Sequence, residues 1–127
     1  MTNEKLFEYM KELAEFLPQE SKEYLIQDNY SIRIITKDYK DAVINEYETR
    51  LEHYRLYSNF SIEELLEFLP ENIEFKILRV NAVHRKEYLF IPVKINYKDE
   101  IRYSGESLRE CIIKAIIELN KMGKLKI

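Results

Sequence analysis

Covalent chemistry needs a nucleophile, a base within reach and a group that holds the charge developing on the substrate. The one thiol, Cys111, falls at helical spacing with Leu108, Ala115 and Leu119, on the apolar side of that segment, where a thiol is uncharged and inert. His53 and His84 belong to distant segments, and one cysteine with two histidines is a poor ligand set for a metal ion. Ser61 and Ser107 stand where helix caps belong, and no serine sits on a glycine elbow. Glutamates are abundant, yet no spacing selects two of them as an acid and a base. Only two glycines occur, Gly105 and Gly123, so a phosphate cradle of the P-loop or dinucleotide type is excluded. The residues therefore predict no catalytic site, no metal and no cofactor.

Two residue sets carry binding potential instead. Tyr47 and Tyr54 lie one heptad apart on a stretch that also holds Arg50 and His53, a mixture typical of protein interfaces. Tyrosines that cap the edge of a small core would read the same way. The second set is basic. Matching apolar residues across the expected C-terminal turns places Lys76 opposite Lys94 with Arg102 near by, and two like charges at about 5 Å repel by about 3 kcal/mol at an effective dielectric of 20. Such a group lies at a wet edge, meets an acidic segment of the same chain, or receives an anion such as a nucleotide.

Charge is unevenly distributed. Residues 1–72 carry eight Lys/Arg and sixteen Asp/Glu (net −8), residues 73–127 twelve and seven (net +5), and the whole chain −3. Such a chain can pair its own elements, associate head to tail with a copy, or offer a basic face. The N-terminus has no basic start followed by an apolar run, and the apolar stretch Leu89–Val93 is far short of the ~20 residues of a membrane span, which predicts a cytoplasmic protein with no membrane partner. Heavy use of Ile, Lys, Glu, Asn and Tyr with no Trp points to an AT-rich bacterial or phage genome.

With 127 residues, 46% of them apolar, the chain suits one domain, 1–127. Leu6, Met10, Leu13 and Leu17 form one stripe of a helix over 4–17, ended by Pro18. Tyr24-Leu25-Ile26 and Tyr30–Thr36 read as strands about a turn at Asp28-Asn29, completing a helix-and-strand segment within 1–37. Val43, Tyr47, Leu51 and Tyr54 recur at three or four, which favours one helix over 38–57. Ser61 and Glu64 form a capping box for a helix over 61–69, ended by Pro70. Residues 73–104 read as a three-stranded meander with tight turns near His84-Arg85 and Lys98–Glu100. Because Phe75/Ile77/Val83 and Leu78/Val80/Ala82 alternate while Leu89–Val93 is apolar throughout, helices are expected on both faces of this sheet. Ser107 and Glu110 form a second capping box for a helix over 107–122, with Gly123 at its C-cap. The expected fold class is α+β, with an antiparallel-rich sheet between helices in three layers. Glu12–Pro18 also reads like Glu64–Pro70, through duplication or through the ease with which Leu/Glu helices match.

The segment Glu106-Ser107-Leu108-Arg109-Glu110-Cys111-Ile112-Ile113-Lys114-Ala115-Ile116-Ile117, after a meander and a capped helix, resembles the ending of the phage ABA-sandwich domain, over roughly residues 59–122. That family often has Glu-Ala-Ile-Cys-x-Ala-Ala-Leu where this chain has Glu110 to Ile117, so the cysteine is displaced and the alanines are bulkier, and its Trp-bearing segment has no counterpart here. The resemblance implies helix–sheet–helix layering and a phage or prophage origin, with no catalytic residues to carry over. Together these readings predict a non-catalytic phage-type protein that binds a macromolecule, as a regulator or inhibitor of a host protein or as an assembly subunit, through Tyr47, Arg50 and Tyr54. Self-association is left open, and nucleic acid is not expected as a partner. The alternative is a small-ligand protein that holds a nucleotide or other anion at Lys76, Lys94 and Arg102.

Overall fold

A computed structural model describes the chain except residues 29–30, 49–54, 71–73, 83–84, 94–102 and 127, and describes the backbone alone at 43–48, 74–76, 80–82 and 85–93. The fold is α+β, and the chain divides into two compact units, residues 2–61 and 62–127, the latter taken with Met1.

The first unit opens with α1 (Asn3–Leu13), whose start is fixed by Thr2, where the Lys5 N–H donates to Oγ1 at 3.2 Å. The helix ends four residues sooner than the stripe through Leu17 predicts, because the N–H groups of Phe16 and Leu17 both turn back to the Leu13 carbonyl. Leu6, Met10, Leu13 and Leu17 are nonetheless all buried, so the stripe reports burial correctly across the end of the helix. The strands β1 (Glu23–Gln27) and β2 (Ile32–Thr36) form the expected antiparallel hairpin. Asp28 holds its turn: Oδ1 accepts from the Ser31 N–H at 2.8 Å and Oδ2 meets Arg33 at 3.2 Å. The chain then passes straight into α2 (Lys37–Glu48), with Thr36 Oγ1 accepting from the Tyr39 N–H at 3.2 Å.

The single helix expected over 38–57 is corrected here. Among the described residues helix runs from Lys37 to Glu48, and Arg55–Ser58 form β3, which pairs antiparallel with β1 so that the sheet order is β2-β1-β3. The reason is non-local. β1 has a second row of backbone donors and acceptors beside it, and a returning strand satisfies them. Leu25 is opposite Tyr57, and the Phe7 ring of α1 lies 5.3 Å from that Tyr57 ring. Tyr24 faces the other way, and Lys40 of α2 sits 4.2 Å over its ring. Side chains of α1 and α2 thus reach opposite faces of this sheet, and Tyr24, Leu25 and Ile26 are buried on both.

The second unit begins with α3 (Ile62–Leu66), immediately after Ser61, and turns back at Phe68 and Leu69 before Pro70. The strands β4 (Glu74–Ala82), β5 (Arg85–Val93) and β6 (Tyr103–Gly105) are antiparallel in the order β4-β5-β6, so the meander is present with β5 at its centre. Helix α4 (Leu108–Lys121) starts on Ser107, whose Oγ accepts from the Glu110 N–H at 3.1 Å. It ends in a Schellman motif: Gly123 has φ +68°, its N–H donates to Asn120 O at 2.9 Å, and Lys124 N–H donates to Leu119 O at 2.9 Å. Cys111, Ile112, Ile113, Ala115, Ile116, Ile117 and Leu119 are all buried, a wider apolar face than one sheet contact needs.

The helical ends Glu12–Pro18 and Glu64–Pro70 bury matching residues, Leu13 with Leu65 and Leu17 with Leu69. The sheets that follow differ, the first strand being central in one unit and the second in the other. The likeness therefore extends no further than a shared way of ending a helix.

Candidate interaction surface

The cover expected on both faces of the β4–β5 sheet is not found at Ile77 and Leu78. Ile77 and Leu78 point to opposite sides of the strand, yet each is exposed, at 45% and 46%, and Arg79 beside them is exposed as well. Among the described residues β4 is an edge strand of its sheet, and an edge with two open apolar residues offers side-chain contacts to an incoming chain. On the hairpin side of the other sheet, Ile34 of edge strand β2 is 50% exposed, but Arg33 next to it is engaged with Asp28.

The β4–β5 register corrects the basic cluster. Lys76 stands opposite Ile91, and Phe75 opposite Pro92, so Lys76 and Lys94 are not cross-strand neighbours. Ala82 pairs with Arg85, and the register lies three residues from the one expected from apolar matching. Tyr103 pairs with Phe90. Lys94 and Arg102 lie outside the described residues, as do Arg50, Tyr54, His53 and His84; Tyr47 is placed on α2 by its backbone alone.

The chemistry-bearing groups within the described residues are placed as follows. Cys111 is buried on α4, as its spacing predicts. No group of three or more His, Cys, Asp or Glu among the described residues could hold a metal ion. Glu110 is 2% exposed and held in place by backbone and by charge: its Oε1 accepts from the Glu106 N–H at 3.4 Å and lies 3.8 Å from Lys114 Nζ, which itself donates to the Ser104 carbonyl at 2.8 Å. The Tyr103 hydroxyl is buried with no hydrogen-bond partner among the described residues, and burial first, then the Glu118 charge, hold its pKa above the usual phenol range. In the first unit a polar knot ties the loop after α1 to β1 and β3. Gln19 Oε1 accepts from the Ser58 N–H at 2.9 Å, Tyr24 Oη donates to Gln19 O at 3.4 Å, Ser21 Oγ donates to the Glu23 carbonyl, and Asn59 Nδ2 donates to Glu23 Oε2 at 3.4 Å. An open hollow of about 300 Å³ along α1, lined by Lys5, Glu8, Tyr9, Lys11, Glu12 and Glu15, mixes both signs of charge and selects no ligand.

The β4 edge escaped the sequence reading because apolar residues on both faces were taken to mean cover on both. The usable signal was Lys76 and Arg79 bracketing Ile77 and Leu78, since basic residues punctuating an apolar strand mark edges. No helix among the described residues is long and apolar enough to cross a membrane. No family model, curated protein or solved structure matches the chain.

Proposed function

We propose that this chain is a non-catalytic cytoplasmic protein of phage or prophage type that works by binding a macromolecule, as a regulator or inhibitor of a host protein or as an assembly subunit. The observation that supports this most directly is the open pair Ile77 and Leu78 on an edge strand, an arrangement that aqueous proteins ordinarily blunt or cover. The same reading takes the helices as layers about the sheets, in keeping with Phe7 on one face of β1 and Lys40 on the other. It keeps Tyr47, Arg50 and Tyr54 as a second contact region and self-association as one mode of assembly.

The test is affinity capture with the full chain as bait, beside the double variant Ile77→Ser, Leu78→Ser. Both residues are half exposed, so the variant should keep the parent's circular-dichroism spectrum while the captured partner falls at least tenfold. Unchanged capture by the double variant would remove β4 as the contact, and Tyr47→Ala with Tyr54→Ala then asks the same of the second region.

A further inference from the structure

Strand β2 has an outer edge whose backbone phase is fixed by the hydrogen bonds at its two ends. The Lys37 N–H donates to the Lys22 carbonyl at 3.0 Å and the Asp28 N–H to the Ser31 carbonyl at 3.1 Å, so Ser31, Arg33, Ile35 and Lys37 turn their backbone groups toward β1. Ile32, Ile34 and Thr36 turn theirs the other way, and no strand meets them among the described residues. Ile34, half exposed, stands at the middle of this row.

A second copy of the chain matches the row. Two β2 strands joined antiparallel about a two-fold axis normal to the sheet keep the same face upward, so even-numbered residues meet even and odd meet odd. With Ile34 on the axis, Ile34 meets Ile34 and each Ile32 meets a Thr36, which engages every outward residue of both strands in about six backbone hydrogen bonds. Charge selects the same register. Moving the axis to Arg33 sets Arg33 against Arg33, and moving it to Ile35 sets Arg33 against Lys37. With Ile34 on the axis, Arg33 faces Ile35, and Lys37 faces Ser31, whose N–H is held by Asp28 Oδ1 at 2.8 Å. The ammonium of one copy therefore arrives beside the carboxylate of the other. The helices leave room, since Phe7 of α1 lies against Tyr57 of β3, beyond β1 as seen from β2. β1 and its copy would stand three strand spacings apart, about 14 Å, against a helix diameter of about 10 Å.

We infer that two copies of the chain join through β2 as a two-fold dimer with Ile34 on its axis, which merges their N-terminal sheets into one. This takes self-association from the macromolecule-binding reading above and gives it a site; β4 has no part in it.

The experiment is sedimentation equilibrium of the full chain at concentrations up to about 1 mM, beside Ile34→Lys and Ile34→Glu. The unaltered chain is expected to show a monomer–dimer equilibrium. Because position 34 meets itself, each variant is expected to dimerise at least about tenfold more weakly, and an equal mixture of the two to associate again. Amide exchange on the unaltered chain needs no variant: protection at Ile32, Ile34 and Thr36 is expected to rise with concentration while that at Arg33 and Ile35 stays constant. A chain that is monomeric throughout that range, a dimer that neither variant weakens, a mixture that fails to associate, or a dimer that forms with no gain of β2 protection overturns the inference. A dimer abolished by Ile77→Ser with Leu78→Ser overturns it in favour of a β4 contact. The two readings fail separately, since Ile34→Lys is expected to leave partner capture through β4 unchanged and the Ile77/Leu78 double variant to leave the dimer unchanged.

Discussion

The two glycines are required for different physical reasons, and substitution separates them. At Gly105 an added Cβ would meet Glu110 Oε1 at 2.8 Å, Cγ at 3.0 Å and Cβ at 3.1 Å, so the obstacle is the stem of a buried side chain as well as its movable end. At Gly123 nothing lies within 4 Å, and the obstacle is φ +68° alone. Gly105→Ala should therefore destabilise by about 1–3 kcal/mol through overpacking, and Gly105→Asn by more. Gly123→Ala should cost about 1 kcal/mol, with Gly123→Asn recovering part of it because Asn tolerates the left-handed region. Urea unfolding of the four variants checks this, and Asn rescuing position 105 would show the steric account to be wrong. Tyr103 makes a prediction with pH. Its folded-state pKa is raised by burial and then by Glu118, so the unfolded chain loses this proton first as pH rises. The stability tied to the neutral hydroxyl is present at neutral pH and declines above about pH 10. Tyr103→Phe should be near neutral or stabilising at pH 7, since the hydroxyl has no partner among the described residues to lose, and should lose less stability than the parent between pH 9 and 11. Equal alkaline slopes would mean that Tyr103 does not sense its surroundings in this way.

Among the elements, α4 and β4 are opposite in character. Ile116 on α4 is fully buried, so Ile116→Ala leaves a cavity and should cost about 2–5 kcal/mol. Ile77 on β4 is nearly half exposed, and Ile77→Ala should cost under about 1 kcal/mol. Denaturant midpoints of the two variants distinguish a structural helix from an exposed strand, and a comparable loss at Ile77 would mean that β4 is covered. Both ends of α4 were legible in the sequence, because Ser107, Glu110 and Gly123 act on backbone within a few residues of themselves. The split of 38–57 was not. Val43, Tyr47, Leu51 and Tyr54 satisfy a helical period, whereas the strand at Arg55–Ser58 exists because β1, some thirty residues earlier, has a free side.

For the molecule as a whole, each unit carries its own sheet and buried centre, and the two sheets place their central strands differently. β1 is bonded on both sides and buried on both faces, while β2 has a strand neighbour on one side among the described residues. Amide hydrogen exchange in dilute solution should accordingly be slowest in Tyr24–Ile26 and in Cys111–Ile117, and faster at alternate amides of β2. Uniform protection across β1 and β2 would contradict the observed strand order. Side chains of two helices reach both faces of the sheet at β1, through Phe7 and Lys40, while the cover expected for the C-terminal meander is missing at Ile77 and Leu78 of β4.

By itself the sequence determined what is decided within a turn or two of chain: the α+β class, the Asp28 hairpin, the capped and glycine-terminated α4, and its buried thiol. Tertiary structure alone decided which strand fills the third place beside β1, that Lys76 faces Ile91 across the ladder, and that Ile77 and Leu78 stay open to solvent. The physical reason is one of range. Caps and turns satisfy backbone groups close by in the chain, whereas register and burial depend on which distant segment arrives to meet them, and apolar side chains show the same pattern along a strand whether they meet that segment or await a partner.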